Sequence, residues 1–129
     1  ADSSSRCVVA TCHSGVAHML ARLGEAGPAL EECEKATALL QEITGEKTGH
    51  LERGQAYEAL GYAYGALAAM PGATAGEINQ RWTSAREMFQ ECLNVLEDLR
   101  RRGALDAASA VWAKSIAGEI TKCDAALAK

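Results

Sequence analysis

Apolar positions recur along this chain at helical spacing, most regularly in its second half. Ile78, Trp82, Ala85, Phe89, Cys92, Leu96 and Leu99 follow one another at alternating intervals of four and three. That alternation draws one stripe along a helix of 3.6 residues per turn. Arg81, Arg86, Glu87, Glu91, Glu97 and Asp98 fall mostly off the stripe, as a solvated face requires. Leu30, Cys33, Ala36, Leu40 and Ile43 repeat the pattern earlier, and Leu105, Ala108, Trp112, Ile116, Ile120, Cys123 and Leu127 repeat it at the end. No stretch alternates apolar and polar residues at the period of two that a half-buried strand needs.

Glycine and proline divide these stripes. The pattern predicts five helices. The first runs from about Ser5 to Leu23 and stops at Gly24. The second opens with Pro28, whose fixed φ suits a first helical turn, and reaches about Ile43, before Gly45. Its early Glu31, Glu32 and Glu34 suit the positive end of the helix dipole. The third spans about Gly49 to Met70, and "PGATAG", residues 71–76, is the clearest loop. The fourth runs from about Gly76 to Arg102, and the fifth starts at Asp106, a plausible N-cap, and continues to about Ala128.

Inside the third helix lies "YEALGYAY", residues 57–64. A glycine weakens a helix by roughly 1 kcal/mol, so Gly61 implies a compensating contact, a neighbouring helix brought close to bare backbone. Tyr57 and Tyr64 lie about one turn to either side and can fill the space around it. The order aromatic, two spacers, Leu-Gly, two spacers, Tyr resembles the tetratricopeptide-repeat signature, with tyrosine in place of the usual tryptophan. The second helix of such a repeat carries Ala, three spacers and an aromatic, which Ala85 and Phe89 supply, with Cys92 at the following small position. Between Gly61 and Ala85 the chain carries about twelve residues more than a 34-residue repeat would, and "AAMPGATAGEINQ" accounts for them. A weaker earlier copy sets His13, Val16, Ala17 and Leu20 at the places of Tyr57, Leu60, Gly61 and Tyr64, followed by Ala29, Cys33 and Ala36.

The resemblance implies an all-α fold of antiparallel helical hairpins of the right-handed α–α superhelix type. Residues 1–129 would form one domain: a divergent first hairpin at 8–45, a second at 49–102 with the inserted loop 71–76, and a capping helix at 105–128. It also implies a concave face built from the first helix of each pair. The outward positions there are Thr11, Ser14, His18 and Arg22, then Gln55, Glu58, Tyr62 and Gly65. Tyr62 is the natural anchor, since an exposed tyrosine offers a large area and one hydroxyl. The expected partner is a protein or peptide. The endings "LEDLRRRGAL" and "GEITKCDAALAK" resemble helical-repeat tails that follow kinase or cyclase modules in bacterial signalling proteins, which implies a regulatory tail. The opening "ADSSS", without a methionine, fits a piece of something longer or a processed form.

Charge and composition narrow this further. A net charge of −4 disfavours nonspecific nucleic-acid binding, which needs a positive field. The one basic run, Arg100 to Arg102, sits at a helix end where cations complement the dipole. No apolar run approaches the ~20 residues that span a bilayer, so no membrane partner is expected. The cysteines, Cys7, Cys12, Cys33, Cys92 and Cys123, are odd in number and lack a CxxC. They read as reduced, mostly core residues of a cytoplasmic protein.

Candidate chemistry is sparse. No phosphate loop and no HExxH occurs, and no cofactor is expected. Cys12, His13 and His18 could suggest a metal or nucleophile site, but adjacent helical residues diverge by about 100°. The carboxylates read as surface partners, Glu31 with Lys35 and Arg53 with Glu58. The expectation is therefore a noncatalytic interaction domain. Two alternatives stand beside it: a helical bundle that homodimerises along the Ile78–Leu99 stripe, and a small-molecule or metal-binding bundle using Cys12, His13 and His18.

Overall fold

The computed structural model describes residues 3–43, 51–103 and 106–129. They form α1 (Ser3–Arg22), α2 (Ala26–Gln41), α3 (Leu51–Ala68), α4 (Ala75–Arg101) and α5 (Ala107–Leu127), with no strand among the described residues. Gly45, the expected third-helix start at Gly49, and Leu105 of the final stripe lie outside them.

Local chemistry sets the helix ends. Gly24 adopts φ +84°, a left-handed conformation that glycine enters without a Cβ penalty. With it, the Glu25 N–H reaches the Leu20 carbonyl at 2.9 Å and the Gly24 N–H reaches that of Ala21 at 3.1 Å. This paired closure satisfies carbonyls left over at the end of α1. The reversal is so tight that α2 begins at Ala26, two residues before Pro28, which still lies in the first turn. Thr74 caps α4: its hydroxyl accepts from the Glu77 N–H at 3.1 Å, and the Glu77 carboxylate accepts from the Thr74 N–H at 2.9 Å. Asp106 caps α5 as its sequence position suggests, accepting from the Ser109 N–H at 2.8 Å.

The helices pack α1 on α2 and α3, α3 on α2 and α4, and α4 on α5. Helix α3 is therefore the central element, and its composition follows. It buries Ala56, Tyr57, Leu60, Gly61, Ala63, Tyr64, Leu67 and Ala68, more than one face of the helix. A helix enclosed on several sides carries apolar and small residues around its circumference. At Gly61 an added Cβ would stand 2.8 Å from Phe89 Cε1, 2.9 Å from Cδ1 and 2.9 Å from Cζ. The Phe89 ring thus lies in the space a side chain would take, and α4 comes close to the α3 backbone. Tyr57 and Tyr64 are buried on either side. The Tyr57 ring lies 5.9 Å from the Arg53 guanidinium, and the Tyr64 hydroxyl pairs with Thr37 Oγ1 at 3.3 Å.

Two expectations need correction here. Val16, set at the place of Leu60, is 49% exposed, whereas Leu60 is fully buried. Leu60 has helices around it, whereas that side of α1 is half open to solvent. The α4 stripe, which one alternative set as a seam for a second chain, is taken up inside this one from Ala85 to Leu99. Ala85, Phe89, Cys92, Leu96 and Leu99 are buried in the shared core, with Trp82 half-buried against it.

Candidate functional site

Helix α5 runs along α4 and meets α3 at Trp112, whose ring lies 3.1 Å from where a Gly54 Cβ would be. About two turns along from that contact, a groove of about 270 Å³ opens between α3 and α5. Tyr62, Gly65 and Ala66 of α3 form one wall, and Glu119, Lys122 and Cys123 of α5 form the other. Trp82 and Phe89 of α4 line it with Gly61, and His18 of α1 stands at its edge. The lining is mainly apolar and aromatic, with a few polar groups, the usual make-up of a recognition pocket. Its volume suits one large side chain.

Two glycines give the groove its form. Gly61 lets Phe89 press against α3. Gly65, one turn on, has only the Trp82 ring near its missing side chain, at 3.8 Å. A larger residue at Gly65 would extend into the groove. Tyr62 meets Phe89 edge-on, with ring centroids 5.1 Å apart at 80°, an arrangement that aromatic quadrupoles favour. It remains 36% exposed.

The rim is acidic and paired. Burial first, then the charges of Glu119 and Glu58, hold the Tyr62 phenol above its ordinary range, so it stays a hydrogen-bond donor. Burial also raises the Glu58 carboxyl, against a hydrogen bond from Trp112 that lowers it. Glu119 pairs with Lys122 at 3.1 Å. Cys123 is 1% exposed, and burial pushes its thiol up, the opposite of an activated nucleophile.

The structure sorts the residues singled out from sequence. His18, Tyr62 and Gly65 come together on this groove. Thr11 and Gln55 share a second, shallower one with Val8, Cys12 and Glu52. Arg22 is exposed at the end of α1 and Glu58 is half-covered beneath Trp112. Ser14 is a correction: it is 1% exposed, and its hydroxyl donates to the Ala10 carbonyl at 2.9 Å. That local bond lets a serine occupy a core position without an unsatisfied group, so no outward site exists there. The Lys35 partner also differs from the one expected. Lys35 pairs with Glu32 at 3.3 Å rather than with Glu31. The Arg53 guanidinium also lies over the Tyr57 ring.

Sequence reasoning placed Trp112 on the α5 stripe but missed Gly54 and the Trp112–Gly54 contact that fixes where α5 meets α3, and the Glu119–Lys122 rim. A second glycine seven residues before Gly61 was the available signal. Cys12, His13 and His18 diverge: Cys12 is exposed, His13 Nδ1 pairs with Glu32 at 2.5 Å, and His18 borders the α3–α5 groove. Among the described residues, no group of three or more His, Cys, Asp or Glu could hold a metal ion. No described helix is long and apolar enough to cross a membrane. Comparison of the chain with protein families, curated proteins and solved structures returns no match.

Proposed function

We propose that this chain is a noncatalytic interaction domain that grips a side chain of a protein or peptide partner in the groove between α3 and α5. The observation that carries the reading is the open aromatic groove itself, with Tyr62 exposed at its wall and Phe89 behind it. Its size and apolar lining favour an aromatic or branched aliphatic anchor. The Glu119–Lys122 pair and His18 favour polar or charged groups beside that anchor. The Gly61–Phe89 approach and the packing of α1 on α3 support a helical-hairpin array of the tetratricopeptide type. In such an array the groove lies on the face formed by α1, α3 and α5. A regulatory tail in a cytoplasmic bacterial signalling protein is the setting that the two terminal phrases suggest.

The test is selection of a random-peptide library on the purified protein. Enriched peptides are expected to share one aromatic or aliphatic anchor. They should lose at least tenfold in affinity for Gly65→Leu, which fills the groove, and for Tyr62→Ala. Circular dichroism would establish that both variants remain folded. Failure to enrich any sequence, or binders indifferent to both folded variants, would overturn the reading.

A further inference from the structure

Helix α1 carries a second surface that the groove does not use. Its outward face exposes Val8 (55%), Val9 (45%), Val16 (49%), Met19 (62%) and Leu23 (71%). Cys12 is exposed on the same face, and Gly15 has nothing within 4 Å of the space for a side chain. At 100° per residue, Val8, Cys12, Gly15, Val16, Met19 and Leu23 fall within one sector about a quarter-turn wide. No acidic residue occurs in α1. Its Arg6 and His13 turn away toward Glu42, the C-cap of α2, and Glu32 of α2, and exposed Arg22 of the last turn falls just outside the sector, next to Gly15. The sector itself carries no charged residue for about four turns, and Glu52 of α3 stands beside it at Val8 and Cys12. It amounts to a few hundred Å² of contiguous apolar surface, the scale at which exposed patches mark association.

The order of residues on this face selects the occupant. Positions 8, 12 and 15 mirror 23, 19 and 16 about a point between Gly15 and Val16. An antiparallel copy of α1 laid across that point sets Val8 opposite Leu23, Cys12 opposite Met19 and Gly15 opposite Val16. Each larger side chain meets a smaller one, which lets facing layers interdigitate. A two-fold axis needs this kind of self-complementary patch. The antiparallel sense also brings the negative end of each helix dipole to the positive end of the other. We propose that the outward face of α1 is a two-fold interface between two copies of this chain. Two such faces together bury on the order of 1,000 Å², near the lower limit of specific interfaces. The dimer is accordingly weak and concentration-dependent. It leaves the α3–α5 groove of each copy open, so its fate is separate from the peptide-binding reading.

Sedimentation velocity from low micromolar to several hundred micromolar protein tests it. The mass should move from one chain toward two, and Met19→Glu should hold it at one chain with unchanged helicity, since Met19 touches solvent. A register test uses disulfide capture in a Cys12→Ser background. A Val8→Cys chain mixed with a Leu23→Cys chain should give a cross-linked pair faster than either gives alone. One-chain mass throughout, a dimer indifferent to Met19→Glu, or faster 8-to-8 capture would each overturn the proposal.

Discussion

Gly61 and Gly65 stand one turn apart on α3 and lack the same atom, yet their surroundings differ. A Cβ at Gly61 would meet three Phe89 ring atoms below 3.0 Å, whereas one at Gly65 would meet only Trp82, at 3.8 Å. Alanine gains roughly 1 kcal/mol of helix propensity over glycine at either place. At Gly61 the displaced ring costs about 1–3 kcal/mol, as overpacking in a close-fitted core does. At Gly65 an ordinary van der Waals contact offsets nothing. Urea unfolding should therefore rank Gly65→Ala above the parent and Gly61→Ala below it. An equal response at the two positions would mean that Phe89 does not occupy the space beside Gly61.

Among the elements, the helices and their caps were largely legible in the sequence, and their neighbours were not. The four-three stripe from Ala85 to Leu99 is buried as its period implies, and Asp106 caps α5. The Gly61 approach could also be inferred, because a glycine inside a helix costs stability unless something comes close. Ser14 could not be placed, since its local bond to Ala10 hides a polar side chain among apolar ones. Val16 could not either: its exposure depends on which faces of α1 are covered, a tertiary fact. The groove was half legible. His18, Tyr62 and Gly65 were marked as outward, but its second wall depends on where α5 docks, and that turns on Trp112 against Gly54. Helix α5 is held chiefly through one side. Ile116, Ile120 and Cys123 are buried there, while Ala108, on the same expected stripe, is exposed. Ile116→Ala should cost about 2–5 kcal/mol as a fully buried truncation. Hydrogen exchange should rise more in α5 than in α1, because α5 is the element that loses its anchor. Equal loosening of α1 and α5 would contradict this docking.

Across the whole molecule, the helices share one core, and the cysteines report on it. Cys7 of α1, Cys33 of α2, Cys92 of α4 and Cys123 of α5 are buried, while Cys12 of α1 is exposed. Burial pushes the Cys33 and Cys92 thiols up to about 12, so near neutral pH almost none of either is thiolate. The α3–α5 groove exists only if α5 is seated with Cys123 facing inward beside it. The most direct measurement is stoichiometric labelling of the native protein with a chromogenic disulfide reagent, each site identified by peptide mapping. One equivalent should react quickly, at Cys12, and the other four should react only as the protein unfolds in denaturant. Labelling of Cys123 at the rate of Cys12 in the absence of denaturant would contradict the seating of α5, and the groove would be lost with it.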